Sequence, residues 1–403
     1  MNWKFAMLKK NSRFNGGVKQ SKYWIFTLVS IIVVAIPAMI HSKDELPVKA
    51  TDSQQRSKMN KNYYFHVVGR SPNADGGIYS YKMDSANAKP EQIGFTALNE
   101  ASYLISAPDR KLFYATGRVD KDNYVATLQF NQDHSLTLLN TVPSEGASTC
   151  HLTTVPGGNF LYTANYSSGD FTEFSLKNGV VDKLIRKIAH SGSGPNKPRQ
   201  NGPHPHYVGV SPDEKYVYIV DLGIDAIKAY PFHPENGIDI NAVKTSNITP
   251  RGSGPRHLVF DSSGKIAYLL NELGNTVISL SYANGIFTQL NEISTLPRFF
   301  SGKNDAAAIR ISADGRFLFA SNRGFDSIAC FELNGDGTMK LYDLVYSGGG
   351  KPRDINFLPG GKMFAAANEA GNVAFFDYDL TTGKLTPNGL SFKIPGALCI
   401  FPE

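Results

Sequence analysis

Four side chains that could bind and activate a small anionic molecule stand at matching places in an internal repeat. His206 and Arg256 each precede an aromatic anchor residue by twelve positions, whereas Glu272 and Arg323 each follow one by four. Arginine presents planar donors to a carboxylate, a phosphate or a developing oxyanion, and imidazole or carboxylate can take a proton from water near neutral pH. The sequence contains no Gly-x-Ser-x-Gly elbow and no cysteine-nucleophile signature. The set therefore predicts attack by water rather than a covalent intermediate.

The repeat behind this register is clearest between Arg256 and Glu272. Two short apolar runs flank a turn at Asp261–Gly264, a pattern typical of a β-hairpin. A hairpin brings its two ends together, so Arg256 and Glu272 are expected to share one face. Six copies, 46 to 56 residues apart, are anchored at Tyr114, Tyr162, Tyr218, Tyr268, Phe319 and Ala365. This spacing is the size of a propeller blade of four strands.

The predicted fold is an all-β, seven-bladed β-propeller that occupies residues 62–403. The first strand-like run, Tyr63–Gly69, matches the second strand of the repeat, so the first blade lacks its inner strand at that end of the chain. Residues Ala397–Phe401 resemble an inner strand and can supply it from the other end. Pairing of the N- and C-terminal strands would close the ring and remove the exposed sheet edge.

A Gly- and Pro-rich insertion from Ala189 to Pro205 interrupts the repeat, and we expect it to form a loop over the channel mouth. Polar residues in this loop and at neighbouring positions are candidates for substrate binding: Arg199, Gln200, His204, Asp221, His151 and Arg353. By contrast, Asn271, Asn322 and Asn368 form a column three residues after their anchors. That column is typical of side chains that bond the following turn, which is a structural role.

The first 61 residues divide into three segments of different composition. Residues 1–22 are basic and contain no acid, residues 23–40 contain no charge, and residues 41–61 form a polar linker. Segment 23–40 can just span a bilayer as a hydrophobic helix and also fits a signal peptide. Because Ala38–Ile40 is not a small-x-small cleavage site, a signal anchor is favoured. We expect a membrane-anchored or secreted protein with its propeller on the extracytoplasmic side, in the periplasm if the cell has an outer membrane.

Charge and cysteine content restrict the class of partner. The net charge of +6 equals the number of Lys and Arg residues in segment 1–22, so the rest of the chain has no cationic surplus, which argues against a nucleic-acid partner. Cys150, Cys330 and Cys399 are too few for a disulfide framework and show no metal-ligand spacing. We expect a monomer that needs no metal or other cofactor and acts on an anionic or ester-bearing small molecule.

Five groups of residues between 62 and 403 carry a resemblance to a known family. They are Arg199-Gln200 with Pro203–His206, Asp221–Gly223, Gly254–His257 with Asn271–Leu273, Ser321–Gly324 with Asp326–Ile328, and Lys351–Arg353 with Ala367-Asn368. Together they resemble the lactonase-type seven-bladed propellers, which include bacterial 6-phosphogluconolactonases and the fungal carboxy-cis,cis-muconate cyclase. The resemblance implies metal-independent hydrolysis, or the reverse cyclisation, of a sugar-acid or similar lactone.

The same resemblance implies roles for individual residues. The proposed active site of the cyclase member has a histidine, two arginines and a glutamate, which match His206, Arg256, Arg323 and Glu272 here. Arg256 and Arg323 would hold the substrate's acid group and polarise the lactone carbonyl. His206 would activate the water, and Glu272 would orient an arginine or share the proton transfer.

Two other functions also fit this sequence. A muconate-type cycloisomerase would use the two arginines to bind the two carboxylates of a diacid. A non-enzymatic propeller displayed on the membrane would bind protein or glycan through its loops.

Overall fold

The computed structural model describes residues 62–84 and 89–403, which fold into seven antiparallel β-sheets. This part of the chain contains 29 strands and one 3₁₀ helix, Ile240–Ala242. The all-β, seven-bladed propeller predicted from the repeat is confirmed. The predicted basic segment 1–22, hydrophobic helix 23–40 and linker 41–61 lie outside the described residues. Within those described ranges, no helix has the length and apolar character needed to cross a membrane.

Blades 1 to 3 come from the first half of the described chain. Blade 1 contains β1 (Asn62–Gly69), β2 (Gly77–Asp84) and β3 (Pro90–Ala97). Blade 2 contains β4 (Tyr103–Ser106), β5 (Leu112–Val119), β6 (Asp122–Phe130) and β7 (Leu136–Pro143). Blade 3 contains β8 (Thr149–Thr154), β9 (Phe160–Asn165), β10 (Asp170–Lys177) and β11 (Val180–Ala189).

Blades 4 to 7 follow in the same order, and only blade 4 has a fifth strand. Blade 4 contains β12 (Pro205–Val210), β13 (Tyr216–Asp221), β14 (Ala226–His233), β15 (Gly237–Ile238) and β16 (Lys244–Asn247). Blade 5 contains β17 (Pro255–Phe260), β18 (Ile266–Asn271), β19 (Thr276–Ala283) and β20 (Ile286–Ser294). Blade 6 contains β21 (Asp305–Ile311), β22 (Phe317–Arg323), β23 (Ser327–Leu333) and β24 (Met339–Tyr346). Blade 7 contains β25 (Pro352–Phe357), β26 (Met363–Asn368), β27 (Asn372–Tyr378) and β28 (Leu385–Lys393).

Apolar side chains on the facing sides of neighbouring sheets form the core. Tyr218 of blade 4 packs in one cluster with Leu258 and Leu269 of blade 5. Tyr268 of blade 5 packs in the same way with Leu318 of blade 6. Because each buried aromatic ring removes a large apolar area from water, these contacts stabilise the ring of blades. The repeated anchor residue is therefore a position where one blade packs against the next.

The last strand, β29 (Ala397–Pro402), closes the ring. It pairs antiparallel with β1, placing Ile400 opposite Val67 and Phe401 opposite His66. β29 also contacts β25 and β4, and the inner strands of all other neighbouring blades contact one another in turn. The predicted pairing of N- and C-terminal strands is what the structure shows, and it covers the edge that β1 would otherwise expose to the channel.

Replacing Ile400 with alanine is expected to lower the free energy of unfolding by about 2–4 kcal/mol, because a buried aliphatic side chain is lost between blades. Ile400 is 1% exposed, and the control residue Ile286, in an outer strand, is 41% exposed. Ile286→Ala is expected to cost less than about 1 kcal/mol. Denaturant titration measures both, and equal losses would contradict closure by β29.

All inner strands begin at one end of the channel, here called the mouth, and the second strands return to it. In blade 5, for example, the first residue of β17, Pro255, is paired with the last residue of β18, Asn271. The connections between blades therefore also lie at the mouth. The longest of these in the described chain, residues 190–204, joins β11 to β12, as predicted for the Gly- and Pro-rich insertion.

Candidate active site

β-Bulges present the side chains at the mouth end of the inner strands. In blades 3, 4, 5 and 7 the pairing skips one residue near the strand start, so four residues have no ladder partner: Cys150, His206, Arg256 and Arg353. An extra residue of this kind bends the strand and re-aims its own side chain. Three of the four line one cavity at the mouth. A backbone irregularity shared by the blades thus supplies side chains to the site.

Glu272, directly after β18, is the centre of the site. Its Oε2 accepts a hydrogen bond from Arg256 Nε at 2.8 Å and lies 3.1 Å from Arg323 Nη2. Its Oε1 accepts a hydrogen bond from Arg199 Nη2. Burial alone would raise the pKa of Glu272, but Arg323 and Arg256, with His206 and Arg199 beside them, lower it well below its usual range. Glu272 is therefore ionised at neutral pH and holds three guanidinium groups in place.

His206 is buried and faces Glu272, with its Nε2 4.0 Å from Glu272 Oε2. Burial lowers the pKa of His206 well below its ordinary value, and the charge of Arg256 lowers it further. The imidazole is consequently neutral at pH 7, so this contact is not an ion pair. A neutral imidazole can accept a proton from a water molecule.

Cys150 lies on the other side of His206, with its Sγ 3.9 Å from His206 Nδ1. Burial raises the pKa of Cys150 to about 12. Because the thiolate is the nucleophilic form of cysteine, a thiol that stays protonated does not attack a substrate. Although Cys150 lines the cavity, it therefore does not change the expectation that water is the nucleophile.

A cavity of about 360 Å³ opens in front of these groups. His206, Glu272, Arg323 and Arg199 line one side of it, and Arg353 from blade 7 lines another. Arg323 donates through Nε and Nη2 to backbone carbonyls at 3.3 and 3.4 Å, and its Nη1 has no hydrogen-bond partner among the described residues. Arg353 has no hydrogen-bond partner among the described residues. Both Arg323 and Arg353 can therefore donate hydrogen bonds to a molecule bound in the cavity.

Arg256 lies beneath this cavity instead of lining it. Its side chain is 2% exposed, and its Nη1 donates to the carbonyl of Ala307 and lies 3.2 Å from Nε2 of His257. Burial, together with Arg323 and Arg353, lowers the pKa of Arg256 to about 9, which leaves it protonated at neutral pH. Because Arg256 is buried, bonds Glu272 and does not line this cavity, the structure places it as a support for Glu272 rather than in contact with substrate.

Arg199 ties the connection 190–204 across the mouth. Besides Glu272, it reaches Asp305 at the start of β21, with Nη1 3.1 Å from Oδ1, and Tyr166 after β9, with Nη2 3.4 Å from the hydroxyl oxygen. Burial alone would lower the pKa of Arg199, but Glu272 raises it above its ordinary value. The loop predicted over the mouth thus contributes a charged side chain to the cavity wall.

Two predicted substrate-binding residues, Gln200 and Asp221, are buried outside the cavity wall. Gln200 Nε2 donates to the carbonyl of Leu222 and to Asp225 Oδ1, both at 2.8 Å. Asp221 lies 2.7 Å from Nδ1 of His190 and accepts hydrogen bonds from two backbone amides. Both side chains are fully occupied in holding the loop 190–204 and the turn after β13, so neither is available to a ligand.

His204 and His151 also lie away from the cavity lining. His204 stacks on Tyr166, with ring centroids 4.5 Å apart, and its Nδ1 lies 2.7 Å from the carbonyl oxygen of that residue. His151 lies in the channel between Tyr103 and Tyr207, at centroid distances of 4.3 and 4.2 Å. Burial lowers the pKa of His151 to about 3, so it is a neutral packing residue.

The cavity is also lined by residues that were not among those predicted, notably Arg70, Arg118 and Tyr166. Arg70 follows β1, and Arg118 lies near the end of β5. In the aligned repeat all three residues occupy the column that contains Glu272 and Arg323. That shared column was the signal that could have identified Arg70, Arg118 and Tyr166.

Fold and site together define a seven-bladed β-propeller with an arginine-rich small-molecule cavity at one end of its channel. A family model described as "Lactonase, 7-bladed beta-propeller" matches residues 65–402, and the chain belongs to this family. It is 34% identical over 345 residues to the 6-phosphogluconolactonase of Bacillus subtilis strain 168, covering 84% of this chain and 97% of that relative.

Solved structures agree with this assignment. The periplasmic gluconolactonase of Pseudomonas aeruginosa matches with a TM-score of 0.79 at 27% identity, over 85% of this chain and 99% of that one. A Lactobacillus plantarum protein matches with the same TM-score at 29% identity, over 85% of this chain and 100% of that one. Because these matches cover nearly the whole of each relative, the likeness extends to all seven blades.

Proposed function

We propose that this protein hydrolyses a sugar-acid lactone by metal-independent attack of water at the channel mouth. The observation that carries the proposal is a neutral imidazole facing an ionised, arginine-bound carboxylate, with His206 Nε2 4.0 Å from Glu272 Oε2 at one small cavity. Two relatives support the substrate class by name, a 6-phosphogluconolactonase and a periplasmic gluconolactonase.

His206 acts as the general base in this proposal. The water oxygen bonds to the lactone carbonyl carbon while its proton passes to His206 Nε2. The ionised Glu272 then stabilises the imidazolium that forms. When the ring C–O bond breaks, the imidazolium returns the proton to the departing ring oxygen, which yields the open hydroxy acid.

Arg323 stabilises the negative charge that develops on the carbonyl oxygen. Its Nη1 is unoccupied among the described residues, and contact with Glu272 and two backbone carbonyls fixes its orientation. A preorganised donor of this kind acts most strongly in the transition state. Arg256 is a positioning residue that holds Glu272 from below, and Arg199 holds it from the mouth.

The direct test is acid release from the purified full chain in a pH-stat. The panel contains phosphorylated and plain sugar lactones, acyl-homoserine lactones and muconolactones. We expect sugar lactones to be opened at a rate well above their spontaneous hydrolysis. Failure to accelerate any lactone would contradict the proposal and favour a propeller that binds protein or glycan without catalysis.

A muconate-type cycloisomerase is the second candidate. It is favoured by Arg323 and Arg353, two arginines with donors free toward one cavity, because such a pair suits the two carboxylates of a diacid. Product analysis after incubation with muconate-like diacids distinguishes the two reactions. A cyclic product that forms from the diacid without net acid release would identify the cycloisomerase.

We also propose that the propeller works outside the cytoplasm, either anchored through residues 23–40 or released from them. The basic and hydrophobic composition of residues 1–40 supports this location, as does the periplasmic gluconolactonase among the structural relatives. Protease added to cells whose outer barrier has been opened is expected to digest the propeller while cytoplasmic markers survive. Complete protection in cells with an intact inner membrane would contradict an external location.

A further inference from the structure

One side of the cavity, formed by blades 7, 1 and 2, contains more cations than anions. Arg70 Nη2 lies 2.9 Å from Glu369 Oε1, and Arg118 pairs with Glu100. Arg353 has no hydrogen bond and no ion pair with any described residue. Glu369, the carboxylate that acts on it most strongly, is bonded to Arg70. These three arginines and two carboxylates leave one positive charge without a countercharge.

The two existing pairs on this side are weak, because the Arg70 and Arg118 side chains are 41% and 44% exposed. Arg353 is partly buried, and a guanidinium that is removed from water is costly unless an anion pairs with it. Burial lowers the pKa of Arg353, and the nearby charge of Arg323 lowers it further. A bound anion would relieve both penalties.

The ion pairs around Glu272 also leave a single surplus charge. There Arg199, Arg256 and Arg323 face the carboxylates of Glu272 and Asp305. In the proposed reaction this side meets the oxyanion that develops on the lactone carbonyl. The cavity therefore has one surplus positive charge in each of two groups of arginines, and only one group is used by the chemical step.

We propose that Arg70, Arg118 and Arg353 form an anion subsite that binds a phosphate or carboxylate group carried by the substrate away from its lactone ring. This inference rests on the proposed lactonase function and adds to it the part of the substrate that is recognised. A planar carboxylate and a tetrahedral phosphate each present a pair of anionic oxygens, and arginine can bind such a pair through two N–H donors. A neutral lactone would leave the anion subsite empty.

The test compares three lactones of one sugar acid on the full chain, with a phosphate, a carboxylate or a neutral hydroxymethyl group at the far carbon. In Arg353→Gln, KM is expected to rise about 10- to 100-fold for the charged lactone that the subsite accepts, because a charge-assisted hydrogen bond is lost. KM for the neutral lactone is expected to stay within about threefold. The charged lactone that responds identifies the anion, and equal changes for all three lactones would overturn the subsite.

Arg118→Gln provides a second variant at an exposed position whose folding is not at risk. It is expected to raise KM for the same charged lactone about 3- to 10-fold, because its side chain is more exposed to water than that of Arg353. Arg298→Gln is the matched control, since Arg298 is an exposed arginine in the mouth-side connection 295–304 that does not line the cavity. A rise in KM for Arg298→Gln as large as for Arg353→Gln would indicate general charge attraction and overturn the subsite.

Direct binding separates this inference from the lactonase proposal. Calorimetric titration of inorganic phosphate, or of acetate if the carboxylate lactone is the one that responds, needs no turnover. Binding to the wild-type chain that weakens about tenfold or more in Arg353→Gln supports the subsite even if no lactone is hydrolysed. Equal affinity in the two proteins overturns the subsite even if lactones are hydrolysed.

Discussion

Glu272→Gln is expected to lower kcat/KM by about a thousandfold, because the substitution removes the charge that orients Arg323 and stabilises the imidazolium of His206. It also leaves Arg199, Arg256 and Arg323 crowded without their central anion. Removing one partner of a buried ion pair costs about 3–5 kcal/mol of stability. Steady-state kinetics and denaturant titration of the same preparation measure the two effects separately.

Glu173→Gln is the matched control for this substitution. Glu173 is also a fully buried glutamate, paired with Arg186 and accepting a hydrogen bond from the amide of Ile238 at 3.2 Å, but it does not line the cavity. Its replacement is expected to lower stability and leave kcat of the folded protein within about threefold. If Glu272→Gln kept near-normal activity, or if both variants lost activity equally, Glu272 would not have the role proposed here.

His206→Gln is expected to lower kcat by about 10²- to 10⁴-fold with little change in KM, because the base that accepts the proton of water is lost while the arginines that bind substrate remain. The pH dependence of wild-type activity tests the same role of His206 as a base. Since burial and Arg256 lower the pKa of His206, the imidazole is neutral above an unperturbed value of about 6.5. Activity should therefore be constant through neutral pH and fall only on the acid side, below that value.

The fall in activity at acid pH, here called the acid limb, should be absent from the residual activity of His206→Gln. His190→Gln is the control, because His190 is likewise buried and hydrogen-bonded, to Asp221 and Tyr230, but does not line the cavity. It is expected to lower stability while preserving both kcat and the acid limb. An unchanged acid limb in His206→Gln would assign the base to another group.

The fold was predictable because its signals are local. Each hairpin can be recognised in the sequence from a turn between two short apolar runs. The spacing between anchors such as Tyr218 and Tyr268 gives the length of one blade. The column of Asn271, Asn322 and Asn368 has a structural role, as predicted, but its partners differ in part from the expected ones. Asn271 Nδ2 donates across the following turn to Thr276 Oγ1 at 2.9 Å. Asn322 Nδ2 and Asn368 Nδ2 donate to carbonyls of the preceding connection, those of Thr295 and Ser347, at 2.9 and 3.2 Å. Even the closing strand could be assigned, because the first blade lacked one strand in sequence.

The site was only partly predictable because a register fixes a residue's position but not the direction of its side chain. His206, Glu272, Arg323 and Arg353 were placed at the mouth, and all four line the cavity. Arg256 occupies the same bulge position as His206 and Arg353, yet its side chain bonds Glu272 beneath the cavity and does not line it. Whether a polar side chain is already occupied by its neighbours, as for Gln200 and Asp221, depends on partners far away in sequence.

Blade 1 takes three strands from the start of the described chain and one from its end. During synthesis, blades 2 to 7 can assemble from contiguous residues, whereas β1 keeps a row of unpaired backbone groups until residue 402 has been made. Arg70 immediately follows β1, and its backbone amide bonds the carbonyl of Gly396, directly before β29. The nascent chain can therefore fix the part of the cavity around Arg70 only after β29 has been synthesised and has paired with β1.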